Sequence, residues 1–487
     1  MSAIPGGVNE SEADTVGSVG ARVTEVGARS AALRKELGPW DLVLTQIMYV
    51  VGSAWVGTAA MLGSSHLVFW CLAILLFYLP QAAVVVYLNR LMPIEGGLYQ
   101  WAIAGLGKTL GFFTAWNLWA YAIVIIAGFG VVIANNLSWL IVSIGGPQIT
   151  TWWYTLAVSV TAIAVLTVVS LLGLGVGKWL QNIGGAAQFL TFGALIVVPF
   201  IGLGRGTIQE YHPLDVAMPA VTLFSLNIFG KMALGALSGF EYVAILAGEC
   251  RNPARSIGRA VMIAVPIIAL MFTLGTSSVL GLVPRSQIDL VSPIPQTLTA
   301  GFAGLGFARF IVPVLILLLL CRQIGNVTLI FAGTTRLPMV AGWDGFLPAW
   351  FTRLHPRFRT PLNSVMFVGG VTMACALAGQ AGVGVQEAFQ LLENAAGILY
   401  AFTYLALFAI PLFGAKRLGV TPPLWLRIAA ASGFSVSLLY SVLSVFPIID
   451  VASWQAFTIK VVVTLVATNL VGLLIWLRAS RASSAPA

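Results

Sequence analysis

Charged side chains are scarce in this chain, and their scarcity excludes a water-soluble fold. Asp, Glu, Lys and Arg together make up 8% of the 487 residues, whereas hydrophobic residues make up 59%. Soluble domains carry about 25% charged residues. With a mean hydropathy of +0.95, the sequence predicts an all-α polytopic membrane protein.

Cysteine and histidine are also few. The four cysteines are scattered without CxxC spacing, so neither a disulfide framework nor a zinc site is indicated, and the three histidines fall near span ends or in loops. An enzyme embedded in the bilayer would need His, Asp, Glu or Cys side chains that converge, and their spacing gives no sign of this. We therefore expect a protein that is not an enzyme, with no catalytic residue, no metal and no cofactor.

Long apolar runs, by contrast, recur along the whole chain. A helix needs about 20 apolar residues to cross a bilayer. A short interfacial helix is predicted over residues 91–107, between the second and third of these runs. The twelve predicted spans are 40–62, 66–89, 110–140, 152–173, 179–203, 217–247, 260–283, 307–334, 362–379, 391–413, 425–446 and 454–477.

The excess of Lys and Arg gives a net charge of +9, but its distribution does not indicate a nucleic-acid partner. These residues concentrate in alternate loops, as the positive-inside rule describes for cytoplasmic segments. We expect an integral protein of the plasma (cell inner) membrane with both termini in the cytoplasm. Residues 1–37 are polar and lack the apolar core of a signal peptide, so we expect a disordered cytoplasmic tail there and a second, short tail over residues 479–487.

Two predicted spans are interrupted by glycine near their middles. The first carries VGSAWVGTA from Val51 to Ala59, and the sixth carries GALSGFE from Gly235 to Glu241. Lipid offers no replacement partner for backbone polar groups, so an interrupted span indicates amides and carbonyls that line a cavity. In transporters, a pair of glycine-interrupted spans at corresponding places indicates the substrate site.

Four motifs occur in the order found in one superfamily of transporters. They are GSAWVG in the first span, PIEGGLYQWA after the second, GFEYVAILAGECRNPARSIGRA in the sixth, and TTRLPMVAGWDGFLPAWF after the eighth. Over residues 38–415 the chain resembles the amino acid–polyamine–organocation (APC) superfamily of permeases. The resemblance implies a LeuT-like fold, in which spans one to five and six to ten form inverted repeats with broken first and sixth helices. Residues 416–478 would hold two additional peripheral helices.

The resemblance also implies a function. It points to a secondary active transporter that moves amino acids or related amines across the membrane by alternating access. One alternative is an amino acid or polyamine exchanger or uniporter without ion coupling. Another is a membrane sensor with a transporter-like fold, against which the short tails argue. The sequence leaves the substrate and the oligomeric state open.

The two breaks are the substrate site that the resemblance implies. In the family the first break binds the substrate carboxylate, because a half-helix N-terminus offers free amides and a partial positive charge. Carbonyls of the second break accept hydrogen bonds from the substrate ammonium. The alternative is that small residues simply allow close helix packing. The residues concerned are Gly52, Ser53, Ala54 and Trp55 in the first break, and Gly235, Ala236, Leu237, Ser238 and Gly239 in the second.

The sequence departs from the family pattern at both breaks. Ala54 stands where the first-span motif has a third glycine, and Trp55 follows it. Gly235 stands where many relatives have an aromatic gate. A bulky group has thus moved from the sixth span to the first, which alters the expected gating.

Ionisable residues within spans are costly in hydrocarbon and are functional candidates by default. Glu241 would either pair with backbone amides of the broken helix or titrate during a proton-coupled cycle. Lys231 would attract an acidic substrate or line its entry path, unless it snorkels to the outer interface. Arg322 would face a cavity or an acidic partner, and Asn326 follows it by one helical turn.

The coupling ion is open between proton and sodium. Proton-coupled relatives place a lysine in the fifth span, where this chain has Gln188, whose neutral amide cannot titrate. Sodium-dependent relatives need hydroxyls on the eighth span, for which Thr328 is the candidate. Proton symport, exchange and uniport therefore stay open.

Overall fold

The computed structural model of the protein is built from helices. It describes residues 39–92, 97–172, 177–241, 253–343, 348–355 and 360–484, and none of these residues lies in a β-strand. The predicted N-terminal tail, residues 1–37, lies outside the described residues. The last helix continues to Ser484, past residue 479 where the second tail is predicted to begin.

The helices follow one another along the chain with short connections. Two single 3₁₀ turns, Arg285–Gln287 and Ala349–Thr352, lie in the loops. The helices are α1 Pro39–Val50, α2 Ala54–Ala60, α3 Gly63–Leu91, α4 Gly97–Leu106, α5 Lys108–Ser143, α6 Trp152–Leu171, α7 Gly177–Gly204, α8 Leu223–Ala236, α9 Pro253–Leu282, α10 Pro293–Phe302, α11 Ala308–Trp343, α12 Leu362–Gln380, α13 Val385–Gly414, α14 Leu424–Leu443 and α15 Trp454–Ser484.

Most predicted spans coincide with one helix each. In the described part of the chain, ten helices are long and apolar enough to cross a membrane, and α1 with α2 forms an eleventh candidate that is bent by 51°. The remaining predicted span, 217–247, falls on α8, which is a shorter apolar helix, and continues into residues 242–247, which lie outside the described residues. Twelve spans and the inverted repeat therefore stay predictions.

The bent pair of α1 and α2 is enclosed by other helices. Both halves pack against α9, and α1 also packs against α7. Helix α5 packs against both α11 and α13. Irregular backbone at membrane depth is tolerated only where protein surrounds it or where it lines a cavity, and this packing meets that requirement.

The short helix predicted over residues 91–107 is present as α4. It begins at Gly97, and its residue Trp101 is fully buried, with the indole N–H donating to the carbonyl of Met92 at 3.1 Å. A Cβ at Gly105 would stand 2.9 Å from Ile410 on α13. The glycine therefore lets α4 pack closely on the end of a long helix.

One helix, α10, was not predicted from the sequence. Its ten residues are too few to form a span, and the polar residues before it resemble an ordinary loop. Asp289 fixes it: Oδ2 accepts from the side chains of Asn135 and Trp139 on α5, each at 2.7 Å, and Oδ1 accepts from the amides of Val291 and Ser292. This one carboxylate thus joins the start of α10 to α5.

Candidate functional site

The first break, residues 51–53, separates α1 from α2. The amide of Val51 still reaches the carbonyl of Ile47 at 3.0 Å, but the amide of Gly52 turns to the carbonyl of Val50 at 2.9 Å. Ser53 precedes α2 without a side-chain capping hydrogen bond. The helical ladder stops here, so the last carbonyls of α1 need partners from elsewhere.

Two buried side chains on neighbouring helices supply those partners. Arg322 on α11 donates from Nη2 to the carbonyl oxygens of Val51, at 2.5 Å, and Met48, at 3.3 Å. Gln188 on α7 donates to the same Val51 oxygen at 3.2 Å. Arg322 is only 3% exposed. A fixed cation therefore lies at the C-terminal end of α1, where a helix favours positive charge.

The second break, residues 238–239, follows α8. The helix finishes in a π-helical turn, and Gly239 has a φ of +125°, which a residue with a Cβ rarely adopts. The carbonyl of Leu237 accepts a hydrogen bond from Gln81 on α3. The amide of Gly239 donates to the hydroxyl of Tyr404 on α13 at 2.8 Å. Side chains from two other helices thus provide hydrogen-bond partners for the backbone groups of this break as well.

Glu241 comes directly after the second break and is fully buried. Its two carboxylate oxygens accept hydrogen bonds from the hydroxyls of Tyr400 and Tyr404 on α13. Because Tyr404 also accepts the amide of Gly239, the carboxylate ties the second break to α13. Of the two roles predicted for Glu241, these contacts favour the structural one.

Both breaks border one cavity, whose volume is about 120 Å³. Ala236 and Leu237 are buried but do not line it. Helices α5, α11 and α13 complete the wall with aromatic and polar side chains that include Phe129, Gln323 and Phe389. The predicted substrate-binding residues that line the cavity are Gly52, Ser53, Ala54, Trp55, Gly235, Ser238 and Gly239.

The indole of Trp55 lies between two glycines. A Cβ at Gly235 would stand 2.4 Å from Cη2 of the indole, and a Cβ at Gly52 would stand 2.7 Å from its Cδ1. Real Cβ atoms essentially never approach another heavy atom within 3.0 Å. The indole therefore fills the space that a side chain at position 235 would need, which is the physical reason why Trp55 and Gly235 occur together.

The remaining predicted residues lie in different surroundings. Asn326 lines the cavity. Thr328 does not: its hydroxyl donates to the carbonyl of Ile324 in its own helix at 2.7 Å. Lys231 is 1% exposed, so it does not snorkel to an interface, and its ammonium donates to Oδ1 of Asn394 on α13. Among the described residues, no three His, Cys, Asp or Glu side chains are grouped as metal ligands.

Glu393 was not predicted as a site residue, although the sequence carried a signal for it. Glu393 lies within the predicted span 391–413 and lines the cavity from α13. An ionisable residue inside an apolar run is a functional candidate by default, and that rule singles out Glu393 as it does Glu241. Tyr121, also on the wall, stacks on Tyr400 with ring centroids 4.1 Å apart.

Comparison with known proteins identifies the family. A family model described as amino acid permease matches residues 37–467. The chain belongs to this amino acid permease family. An uncharacterized transporter of Legionella pneumophila is 25% identical over 77% of this chain and 80% of its own length. The branched-chain amino acid permease BcaP of Bacillus subtilis is 22% identical over 76% of this chain and 81% of its own length.

A solved structure confirms the fold class of the permease. The crystal structure of MhsT in complex with L-phenylalanine matches with a TM-score of 0.59, over 84% of this chain and 98% of that chain. At 13% identity this likeness shows the fold alone. The family model confirms the predicted relationship to APC permeases, and the solved structure confirms the LeuT-like all-helical class. The assignment of the site residues stays a prediction.

The close approach of Trp55 to Gly235 predicts a specific loss of stability. We expect Gly235→Ala to lower the free energy of unfolding by on the order of 1–3 kcal/mol, because the added methyl group overlaps the indole. The measurement is the thermal midpoint of the purified permease in detergent. Gly370→Ala on α12 is the matched control, since a Cβ there would meet nothing within 4 Å, and it should keep or raise the midpoint.

A double-mutant cycle tests the contact itself. In a Trp55→Ala background the methyl group at position 235 has room. The loss of unfolding free energy caused by Gly235→Ala should then fall close to zero. The same cost of Gly235→Ala with and without the indole would contradict the contact.

Proposed function

We propose that this permease is a secondary active transporter that moves amino acids or related amines across the plasma membrane by alternating access. The observation that carries the proposal is that two helix breaks, distant in the chain, border one cavity. Interrupted backbone offers polar groups that a continuous helix keeps bonded internally. Transporters bind substrates at such discontinuous helices, and the permease family and the fold support the same activity.

The two breaks would bind the two charged groups that every α-amino acid carries. In the proposed complex the substrate carboxylate lies at the first break, near the backbone amides of Ser53 and Ala54 and the hydroxyl of Ser53. Helix α2 has only seven residues, so we base this on local amides and the hydroxyl and not on a long helix dipole. The ammonium lies at the second break, near Ser238. The substrate side chain would then contact the wall that contains Phe129 and Phe389.

We also propose that the transporter is independent of sodium. Carbonyl oxygens freed at a helix end are natural ligands for a metal cation, but those of Met48 and Val51 already accept hydrogen bonds from Arg322. A guanidinium keeps its charge in proteins and cannot leave the chain. Gln188 adds a second donor to the Val51 oxygen. A bound sodium ion at these oxygens would have to displace both side chains.

The orientation follows the charge of the loops. We propose that both termini face the cytoplasm, because Lys and Arg concentrate in the loops on that side. An exchanger or a uniporter would use the same cavity and breaks. A membrane sensor would bind the substrate there without moving it, so flux separates it from a transporter.

Flux through proteoliposomes tests the proposed function. The permease should accumulate or exchange at least one member of a radiolabelled panel made up of the common amino acids, agmatine and putrescine. Liposomes without protein give the background. Binding of a panel member in a thermal-shift assay together with no flux for the whole panel would favour the sensor and contradict the transporter.

A substitution at the first break tests the site. Ser53→Leu should abolish both flux and the thermal shift caused by substrate, because an isobutyl group projects into a cavity of only about 120 Å³. Ser435→Leu is the matched control, since Ser435 is exposed on α14 and bonds only to its own helix. An unchanged substrate affinity in folded Ser53→Leu protein would mean that the first break is not the site.

Replacement of sodium tests the role of Arg322. Initial rates of uptake should be the same in sodium and in choline buffers, with the membrane potential clamped by potassium and valinomycin. Loss of uptake in choline would show that a sodium ion binds despite the guanidinium. Choline itself is excluded as an inhibitor by repeating the assay with N-methyl-D-glucamine.

A further inference from the structure

The cavity wall carries one carboxylate that the proposed function does not use. Glu393 lines the cavity from α13 and is only partly buried. Its carboxylate accepts no hydrogen bond from another described residue and forms no ion pair with one. Glu241 is the contrasting case, because it is fully buried and Tyr400 and Tyr404 occupy both of its oxygens. Glu393 therefore offers its oxygens to whatever enters the cavity.

Glu393 lies some distance from the second break along α13. The cavity is lined in turn by Phe389, Glu393, Gly397 and Tyr400, whose spacing places them on one face of the helix. Tyr400 marks the level of the second break, because its hydroxyl donates to the carboxylate of Glu241. Glu393 precedes Tyr400 by two helical turns, which is about 10 Å of helix. The Glu393 carboxylate is thus separate from the place proposed for the substrate α-ammonium.

Helix α8 shows the same separation. Lys231 begins the π-helical turn of α8 and donates to Oδ1 of Asn394, the residue next to Glu393. Ser238, in the second break, lies beyond the whole of this turn. The hydrogen bond therefore fixes the level of Glu393 against α8. Lys231 is 1% exposed and does not line the cavity, so this hydrogen bond lies outside the cavity and leaves the carboxylate of Glu393 accessible from within it.

The other groups of the cavity wall suit a cation beside Glu393. Phe389 lies one helical turn before Glu393, and Tyr121 and Phe129 line the cavity from α5. Ring faces attract ammonium and guanidinium groups, and a carboxylate forms charge-assisted hydrogen bonds with them. Oδ1 of Asn326 is a further acceptor on the wall, buried and without a hydrogen-bond partner. These groups together can bind a cationic group that enters the cavity.

The cavity also carries a cation of its own, Arg322. Among the described residues that line the cavity, Arg322 is the one with a cationic side chain and Glu393 is the one with an acidic side chain. Hydrogen bonds to the carbonyls of Met48 and Val51 hold the guanidinium at the first break, which is where the substrate carboxylate is proposed to bind. Positive charge therefore lies at the carboxylate end of the substrate, and negative charge lies on α13.

We propose that Glu393 determines the specificity of this transporter and that its preferred substrates are α-amino acids with a cationic side chain, such as ornithine, lysine and arginine. The proposal rests on the proposed transport function. The α-carboxylate and α-ammonium stay at the two breaks, and the terminal ammonium or guanidinium donates to the Glu393 carboxylate. The four to six bonds of these side chains span on the order of 5–8 Å, which together with the side chain of Glu393 covers the two helical turns. A neutral side chain would leave the carboxylate unpaired in an apolar site, which is unfavourable.

Matched pairs of amino acids test this specificity. Norleucine has the shape of ornithine with a methyl group in place of the ammonium, and citrulline has the shape of arginine with a neutral ureido group. Affinities come from the ligand-dependent thermal midpoint of the purified full chain in detergent, which also reports on variants that do not transport. In the wild-type protein, the cationic member of each pair should bind on the order of 10- to 100-fold more tightly, because it adds a hydrogen bond between charged groups. Glu393→Gln should bring both ratios close to one. Glu387→Gln, on the first turn of the same helix and not among the cavity-lining residues, should leave both ratios unchanged.

The ratios separate recognition of the side chain from other roles of Glu393. Ratios close to one in the wild-type protein would overturn the proposal, and so would an equal loss of affinity for both members of a pair in Glu393→Gln. If Glu393→Gln does not fold, Glu393→Asp decides, because it keeps the charge: a retained preference for the cationic member supports the proposal, and its loss overturns it. Flux in proteoliposomes with ratios close to one would leave the transport function standing. A preference for the cationic members without flux of any panel member would contradict the transport function alone.

Discussion

The structure depends on one constraint: backbone polar groups freed inside an apolar bundle must find partners. At the first break, Arg322 and Gln188 take the carbonyls at the end of α1. At the second, Gln81 takes a carbonyl and Tyr404 takes an amide. The four side chains come from four different helices. Each break is therefore hydrogen-bonded to two neighbouring helices, and these bonds both satisfy its backbone groups and fix the helices in position. This is how irregular backbone is tolerated at membrane depth.

The same constraint explains the signs of the buried charges near the breaks. Arg322, a cation, lies at the C-terminal end of α1, where carbonyls leave partial negative charge. Glu241, an anion, follows the second break, and its burial is made tolerable by two tyrosine hydroxyls. These two residues stabilise the interrupted helices. Glu393 and Lys231 have different surroundings: Glu393 lines the cavity, and the ammonium of Lys231 donates to Asn394 on α13.

Most of the spans, the glycine breaks and the exchange of bulk between Trp55 and Gly235 could be predicted because composition and local motifs encode them. The partners of the breaks could not. Gln188 and Arg322 lie 137 and 271 residues from the Val51 carbonyl that they share, and the sequence does not state which face of a uniformly apolar helix turns inward. Helix α10 was missed for the opposite reason, since it is too short for a span and is fixed by Asp289 through contacts with α5.

Trp55 links the two breaks directly, whereas the hydrogen bonds to the backbone link each break only to other helices. Its indole projects from the start of α2, yet it occupies the space beside Gly235 in the turn before the second break. Because the ring is rigid and in contact with glycine on both sides, a change in the angle of either broken helix must move the ring or be resisted by it. An aromatic side chain on the turn of α8 would move with that turn and leave the first break free. With the aromatic group on α2, one ring borders the first break, the cavity and the turn that begins at Lys231.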